Sequence, residues 1–111
     1  MAIAQVKDQR EYGLVILKDE QIVKFQEKSD LMPKDQGEFG INAGIYLFNQ
    51  DIFKEFPAQE AFGLEYDFFP KLINQGFYGF QVQEDLIDIG TPERYKLAQS
   101  FLKWNHEKFK H

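Results

Sequence analysis

The sequence contains no cysteine, and its two histidines, His106 and His111, both lie near the C-terminal end. A chain without cysteine has no disulfide framework, no thiolate metal site and no cysteine nucleophile. Imidazole groups confined to one end of the chain speak against a histidine-based catalytic centre. These absences remove several common classes of enzyme and metal site.

Basic runs and long apolar runs are missing as well. The chain has 13 Lys and Arg against 18 Asp and Glu, a net charge of -5. Nucleic-acid binding needs clustered cations that release counterions from phosphates, so no nucleic-acid partner is expected. The N-terminal residues lack the apolar stretch of a signal peptide, and no run approaches the roughly 18 residues of a membrane span. We therefore expect a cytoplasmic protein without a membrane partner.

The residues that are present can build a core. Hydrophobic residues make up 43% of the 111 residues and aromatic residues 16%, including 12 Phe. Such a composition is typical of a folded chain rather than a disordered one. The length matches one domain, and two independent domains do not fit into it.

Short β-rich runs separated by polar or Gly-containing segments predict several strands. The first two, residues 12–17 and 21–26, are joined by a short polar connection, which indicates a hairpin whose second strand is partly exposed. Residues 39–48 are the most apolar run and are interpreted as a buried strand. Gly40 and Gly44 weaken this strand unless another backbone or a ligand comes close.

Helices are expected after this strand. Thr91 is a good N-cap and Pro92 suits the first helical position, so the last helix begins there. Pro70 must kink or break an earlier helix. Two helices are expected at 52–56 and 64–74, followed by two strands at 77–82 and 86–89. The helix after Thr91 carries an apolar stripe of Leu97, Ala98, Phe101, Leu102 and Trp104. The order β-β-β-α-α-β-β-α predicts a mixed sheet with helices packed on it.

Polar groups lie at the ends of two predicted strands and beside the small residues of a third. Glu27 and Lys28 follow an apolar strand directly before a polar loop. Asn42 lies beside small residues in an otherwise apolar run, which leaves room for something to approach. Asp88 lies at a strand end, just ahead of a helix N-terminus.

Together these segments resemble the C-terminal half of the sugar-phosphate nucleotidylyltransferases, particularly the guanylyltransferases for mannose 1-phosphate and heptose 1-phosphate. The segments that carry the resemblance occur in family order between about Tyr12 and Leu102, and they read YGLV, FQEK, INAGIYLFN, LEYDFFPKL and DIGTPERY. Enzymes of this family join a nucleoside triphosphate to a sugar 1-phosphate and release pyrophosphate, using Mg²⁺. The implied fold is α/β, the C-terminal part of a Rossmann-like nucleotide-diphospho-sugar transferase fold, with a mixed sheet flanked by helices.

The resemblance assigns the charged residues as follows. Asp88 corresponds to the Asp that helps to hold Mg²⁺, a role that suits a hard carboxylate oxygen. Lys28 corresponds to the Lys that contacts the sugar phosphate, and Glu27 to the acid that holds a sugar hydroxyl. The alternatives are a turn cap for Asp88 and a solvated charge pair for Glu27 and Lys28. Arg94 and Tyr95, in the same motif as Asp88, are interpreted as helix surface and core.

The resemblance also assigns a sugar-facing segment. Asn42, with the backbone of Ala43 and Gly44, corresponds to the segment on which the sugar ring lies. Glu65 corresponds to an acid that reaches a sugar hydroxyl in some relatives. The alternatives are a strand bulge with a satisfied Asn42 and, for Glu65, a first-turn acid favoured by the helix dipole.

One motif of complete family members is missing from the chain. The Gly-rich GxGTRL-type loop holds the triphosphate in the family, whereas the eight glycines here are scattered. We therefore expect residues 1–111 to be a single partial domain, the sugar-phosphate-binding half, with the N-terminal nucleotide-binding half absent and no activity alone. The parent reaction would make an NDP-sugar, GDP-mannose or GDP-heptose.

The expected partners follow from the same reasoning. They are a sugar 1-phosphate, the missing N-terminal half and a second copy in a homodimer, with Mg²⁺ as cofactor in an incomplete site. A half-domain exposes a sheet edge and apolar helix faces that seek a partner. The alternative function is therefore a non-catalytic, self-associating interaction module that retained only the fold.

Overall fold

The computed structural model describes residues 1–6, 12–26, 38–55 and 61–108. Its 5-stranded sheet has the order β3-β2-β4-β1-β5. The strands are β1 (Ala2–Ala4), β2 (Leu14–Lys18), β3 (Gln21–Gln26), β4 (Glu38–Asn42) and β5 (Phe80–Gln81). β5 runs parallel to β1, whereas the other neighbours are antiparallel. The predicted α/β fold with a mixed sheet is confirmed.

In the described ranges, four helical segments accompany the sheet. They are a 3₁₀ helix (Gln50–Glu55), a π-helix (Leu64–Phe68) that continues directly into α1 (Phe69–Leu72), and α2 (Pro92–Lys108). The predicted break of the middle helix is confirmed, because the helix type changes next to Pro70, which has no amide hydrogen to donate. None of the helices in the described ranges is long and apolar enough to cross a membrane.

The predicted hairpin is confirmed, with a tighter turn than expected. Lys18 pairs with Gln21, so only Asp19 and Glu20 form the turn. Both have positive φ, 51° and 65°, as a two-residue turn of type I′ requires. The second strand is partly exposed, as predicted, with Ile22 as its one buried residue.

β1, which no sequence pattern predicted, is an inner strand between β4 and β5. Ile3 and Ala4 are fully buried there. A Cβ atom on Gly40 would lie 2.6 Å from Ile3 Cγ2 and 2.7 Å from the Ala4 carbonyl oxygen. Gly40 therefore permits the close backbone approach that the sequence indicated for this strand.

The segment that precedes β5 also reaches the hairpin. The Gly79 amide donates to the Glu20 carbonyl oxygen at 2.8 Å, and the Ile22 amide donates to the Phe77 carbonyl oxygen at 2.8 Å. Farther along, the Phe80 amide donates to the Met1 carbonyl oxygen. Residues 77–82 therefore connect the hairpin to β1.

The expectation of one buried strand over residues 39–48 was wrong. β4 ends at Asn42, and Ile45 and Leu47 beyond it are 68% and 94% exposed. Asn42 Oδ1 accepts a hydrogen bond from the Gly44 amide at 2.8 Å, and Gly44 has φ +76°. This side-chain turn ends the extended conformation.

The strand expected at 86–89 was also wrong, since the structure contains no strand in that range. Asp88 Oδ1 accepts a hydrogen bond from the Gly90 amide at 2.8 Å. A side-chain oxygen that binds the amide two residues ahead favours a turn over a sheet ladder.

The main core lies on one face of the sheet, against the junction of the π-helix and α1. Phe68 and Phe69 are fully buried there. Phe48 packs edge-on against Phe68, with ring centroids 5.5 Å apart. The cluster contains Met1, Ile3, Val15, Leu17, Ile22, Phe68, Phe69, Leu72 and Phe77.

Helix α2 begins as predicted but packs less than predicted. The Arg94 amide donates to Thr91 Oγ1 at 3.2 Å, which confirms Thr91 as the N-cap. Of the expected stripe, Ala98 alone is buried, whereas Leu97, Leu102 and Trp104 are 62%, 65% and 59% exposed. The described residues leave most of the apolar surface of α2 open.

Candidate functional site

A cavity of about 250 Å³ lies where the ends of β3 and β4 face the π-helix. Its wall includes Asn42 and Glu65, two of the residues assigned by resemblance. Gln26, at the end of β3, and Tyr12 and Tyr66 line it too. The fold therefore brings polar groups from four separate parts of the chain to one concave site.

Asn42 uses its carbonyl oxygen inside the protein. Oδ1 accepts hydrogen bonds from the Gly44 amide at 2.8 Å and from the Tyr46 hydroxyl at 2.9 Å. These bonds fix the orientation of the side-chain amide. Within the described ranges Nδ2 makes no hydrogen bond, so this group can donate to a ligand.

Ala43 and Gly44 follow Asn42 but lie outside the cavity lining. The Ala43 amide donates to the Ala2 carbonyl oxygen at 3.0 Å, which holds this segment against β1. A Cβ atom on Gly44 would meet no atom within 4 Å, so the main chain there is open on one side. The positive φ of Gly44 explains the residue type independently of any ligand.

Glu65 lies in the first turn of the π-helix, and its side chain is exposed at the cavity. The Gly63 amide at the start of this helix donates to Asp67 Oδ2 at 2.8 Å. Asp67, rather than Glu65, therefore satisfies that backbone group. In the part of the chain that the structure describes, the Glu65 carboxylate makes no ion pair or hydrogen bond, so it can accept from a ligand hydroxyl.

Asp88 does not line this cavity and is held by protein donors. Oδ2 accepts from the Tyr12 hydroxyl at 2.8 Å and from Arg94 Nη1 at 2.9 Å. Oδ1 accepts from the Gly90 amide at 2.8 Å and from Arg94 Nη1 at 3.1 Å. Arg94 Cζ also lies 5.1 Å from the centroid of the Tyr12 ring, a cation–π distance. We call Tyr12, Asp88 and Arg94 the Asp88 clasp.

The clasp has an electrostatic consequence. The hydrogen bond from the Gly90 amide, then that from Tyr12 and the charge of Arg94, lower the pKa of Asp88 below its ordinary value of 3.8. Each of these donors favours the ionised carboxylate. Asp88 is therefore a carboxylate at neutral pH, and Arg94 is its counter-charge.

The clasp corrects the interpretation of the last motif. Arg94 was interpreted as helix surface, but its guanidinium is bound to Asp88. Tyr95 was interpreted as helix core, yet it is 55% exposed. The ion pair between Asp88 and Arg94 could have been predicted, because an Asp in a turn precedes an Arg in the first turn of the next helix. The hydrogen bond from Tyr12 could not, because Tyr12 lies 76 positions from Asp88 in the sequence.

The described residues do not by themselves fit a magnesium ion. They contain no group of three or more His, Cys, Asp or Glu side chains that could hold a metal. Both Asp88 oxygens already accept hydrogen bonds from the clasp and from Gly90. A hard cation needs several oxygen ligands, so Asp88 could be only one of them.

Glu27 and Lys28 lie outside the described residues. They directly follow Gln26, the last residue of β3, which lines the cavity.

A second, larger concavity of about 1130 Å³ lies beside β1 and β5. Three of its lining residues, Ile45, Leu47 and Phe80, are 68%, 94% and 75% exposed. The apolar pattern of residues 39–48 did not indicate this surface, because it predicted a buried strand that contains Ile45 and Leu47. An apolar surface of this kind commonly marks an interface.

Comparison with known proteins agrees with the resemblance. Residues 1–104 match the nucleotidyl transferase family. The chain is 36% identical over 104 residues to D-glycero-alpha-D-manno-heptose 1-phosphate guanylyltransferase of Aneurinibacillus thermoaerophilus, an alignment that covers 93% of this chain and 43% of that protein. The enzyme of the same name from Campylobacter jejuni is 37% identical, with 86% and 41% covered.

A further relative is mannose-1-phosphate guanylyltransferase of Mycobacterium tuberculosis, 32% identical over 99 residues, with 86% of this chain and 26% of that protein covered. The chain thus spans less than half the length of each of these curated relatives. The family match extends over nearly all of the 111 residues, and the chain belongs to the nucleotidyl transferase family.

Proposed function

We propose that this chain supplies the sugar-1-phosphate-binding part of a nucleotidyltransferase that makes an NDP-sugar from a nucleoside triphosphate and a sugar 1-phosphate. The main support is the cavity of about 250 Å³ at which Asn42 and Glu65 meet. The names of the relatives point to heptose 1-phosphate or mannose 1-phosphate as the substrate and to a guanylyl group as the one transferred.

The proposed roles follow from the chemistry of the groups. Asn42 Nδ2 donates to a sugar oxygen, and the Glu65 carboxylate accepts from a sugar hydroxyl. Gly44 follows Asn42 but lies outside the cavity lining, and we propose that its main chain, which is open on one side, is where the sugar ring approaches the backbone. Glu27 and Lys28 are proposed to hold a further hydroxyl and the phosphate, since they directly follow Gln26 of the cavity wall. Asn42 Nδ2 and the Glu65 carboxylate should bind selectively. A ligand whose hydroxyls do not match them loses their hydrogen bonds and therefore binds more weakly.

In the proposed reaction a phosphate oxygen of the sugar 1-phosphate attacks the α-phosphorus of the triphosphate, and pyrophosphate leaves. Such transfer depends mainly on positioning and charge neutralisation. Because these residues include no Gly-rich triphosphate loop, we propose that a nucleotide-binding part outside them is needed and that the chain is inactive alone. Asp88 is proposed to contribute one Mg²⁺ ligand, with the others supplied from outside the described residues.

Calorimetric titration with mannose 1-phosphate and with heptose 1-phosphate tests the binding role. Because each lost hydrogen bond to the ligand is worth about 1 to 3 kcal/mol, Asn42→Ala and Glu65→Gln should each weaken binding about 5- to 150-fold. The control is Glu84→Gln, which makes the same charge change at an exposed residue outside the cavity. Equal affinity of the wild type and both cavity variants would contradict the proposal. Pyrophosphate release by the isolated chain with GTP would contradict its inactivity alone.

A second candidate function is a self-associating interaction module, favoured by the exposed apolar residues beside β5. In this proposal a second copy covers Ile45, Leu47 and Phe80, whereas in the first proposal the nucleotide-binding part of the domain covers them. Light scattering over a range of protein concentrations separates the two. A dimer that becomes monomeric in Leu47→Glu, together with no sugar 1-phosphate binding, supports the module; a monomer that binds sugar 1-phosphate supports the first proposal.

A further inference from the structure

The Asn42 side chain has two ends of similar size that form hydrogen bonds in opposite ways. Its carbonyl oxygen accepts hydrogen bonds, whereas its amide nitrogen donates them. Oδ1 accepts from the Gly44 amide at 2.8 Å and from the Tyr46 hydroxyl at 2.9 Å. Donors to a carbonyl oxygen prefer to lie near the plane of its substituents, so two donors together define that plane. The same plane contains the two hydrogens of Nδ2, which therefore point in set directions.

A turn at Gly44 brings Tyr46 to Asn42. In an extended strand, residues four positions apart are separated by roughly 13 Å along the chain. Here the chain turns at Gly44, where φ is +76°, and the two side chains meet in a hydrogen bond. The turn that ends β4 therefore also supplies the second donor to Asn42 Oδ1.

Aromatic packing holds the Tyr46 ring in place. Its centroid lies 5.0 Å from that of Phe69 and 5.9 Å from that of Phe48. Phe69 is fully buried and lines the cavity that contains Asn42 and Glu65. A ring packed against two others has few positions open to it, so its hydroxyl reaches Asn42 from a defined place.

Tyr46 itself does not line the proposed sugar site. It lines the larger concavity beside β1 and β5, whereas Asn42 lines the cavity of about 250 Å³. We infer that Tyr46 is a positioning residue for sugar recognition, whose hydroxyl holds the Asn42 amide in the orientation in which Nδ2 donates to the sugar. The inference rests on the proposed function, in which Asn42 Nδ2 binds a sugar oxygen. Because Tyr46 does not touch the sugar, loss of its hydroxyl acts only through Asn42.

The test is calorimetric titration of Tyr46→Phe with mannose 1-phosphate and with heptose 1-phosphate. This substitution removes the hydroxyl and keeps the ring that packs against Phe69 and Phe48. We expect Tyr46→Phe to bind the sugar 1-phosphate about 2- to 12-fold more weakly than the wild type, the range for one ordinary hydrogen bond. In the Asn42→Ala variant the same substitution should have no further effect, because the group that Tyr46 positions is gone.

A second measurement and a control variant separate positioning from a merely structural role. The heteronuclear NOE of the Asn42 Nδ2 group in the ¹⁵N-labelled chain reports its motion on the picosecond to nanosecond timescale, and it should fall in Tyr46→Phe. The NOE of the Asn105 side-chain amide, which donates to the Phe101 carbonyl oxygen, should stay the same. The matched control is Tyr78→Phe, which removes a hydroxyl from another tyrosine of the larger concavity. It should change neither sugar 1-phosphate binding nor the Asn42 NOE.

Three results would overturn the inference: sugar 1-phosphate binding by Tyr46→Phe as tight as by the wild type, an equal loss of binding from this substitution with and without Asn42, or an unchanged Asn42 NOE. The NOE distinguishes these failures from failure of the proposed function, because it is measured without ligand. If binding depends on Asn42 and Glu65 but not on Tyr46, only the role of Tyr46 is wrong. If no sugar 1-phosphate binds while the Asn42 NOE falls in Tyr46→Phe, the proposed function is wrong and Tyr46 still orients Asn42.

Discussion

The cavity and the Asp88 clasp are both polar, but they differ in how many of their groups already have partners. In the cavity, Asn42 Nδ2 and the Glu65 carboxylate make no hydrogen bond to the described residues. In the clasp, both Asp88 oxygens accept two hydrogen bonds each. The cavity can therefore take up a ligand without losing protein contacts, whereas a ligand at Asp88 must replace them. The cavity is therefore ready to bind a ligand, whereas the Asp88 carboxylate must first lose hydrogen bonds to its present partners.

The largest effect is expected at the base of the cavity, where binding site and core meet. Phe69 lines the cavity and is fully buried. Phe69→Ala should lower the free energy of unfolding by about 3 to 5 kcal/mol, because it removes a buried ring and leaves a void. Urea unfolding followed by far-UV circular dichroism measures this loss. Phe69→Leu, which keeps most of the volume, should lose clearly less; equal losses would mean that packing does not support the cavity.

The next largest effect on stability is expected in the Asp88 clasp, outside the cavity. Asp88→Ala leaves the donors of Tyr12, Gly90 and Arg94 without their acceptor, so the free energy of unfolding should fall by about 1 to 2 kcal/mol. The matched control is Asp51→Ala, which breaks an exposed pair with Lys54 and should cost about 0 to 1 kcal/mol. Similar values for the two variants in urea unfolding would show that the clasp is an ordinary surface pair.

The clasp also predicts a dependence of stability on pH. The lowered pKa of Asp88 means that its stabilising contribution is fully present above the ordinary value of 3.8 and disappears as the pH falls through the lower, folded value. The stability difference between the wild type and Asp88→Asn should therefore be constant near neutral pH and shrink on acidification below 3.8. Thermal unfolding of both proteins at several pH values measures it. A difference that grows on acidification would contradict the clasp.

The smallest effect on stability is expected for a cavity group. Glu65→Gln should change the free energy of unfolding by less than about 0.5 kcal/mol, because its carboxylate has no partner among the described residues. The same substitution is expected to weaken sugar 1-phosphate binding, so binding and stability should separate at this position. If Glu65→Gln destabilises the chain as much as Asp88→Ala, the contrast between the two regions is lost.

Local signals predicted the elements that local chemistry determines. Two β-rich runs joined by a short polar connection predicted the hairpin. Thr91 and Pro92 predicted the start of α2, and Pro70 predicted the break in the helix before it. β1 has only three residues, and its partner β5 lies 78 positions farther along the chain, where Phe80 pairs with Ala2, so no window of sequence reports the pairing. The strands expected at 39–48 and 86–89 were wrong for one reason: the side chains of Asn42 and Asp88 bind the amide two residues ahead and end the extended backbone.

The candidate site shows the same division. The resemblance named Asn42 and Glu65, and the structure places both at one cavity, while their roles stay predictions. Tyr12 and Arg94 were not predicted as site residues, because their importance comes from contacts with Asp88 that sequence spacing does not display. The apolar stripe of α2 did not by itself indicate that this helix face is exposed, for a related reason. An apolar stripe indicates that a helix face can be buried, but it does not say which chain covers it.

The connection made by residues 77–82 affects how the sheet comes apart. Since the hairpin is bonded to Phe77 and Gly79, and Phe80 is bonded to Met1, opening the hairpin alone would break hydrogen bonds with a distant part of the chain. Segments linked in this way open as one cooperative unit. We therefore expect the hairpin, β1 and β5 to open together, so that the part of the cavity wall supplied by the hairpin persists as long as these strands stay paired.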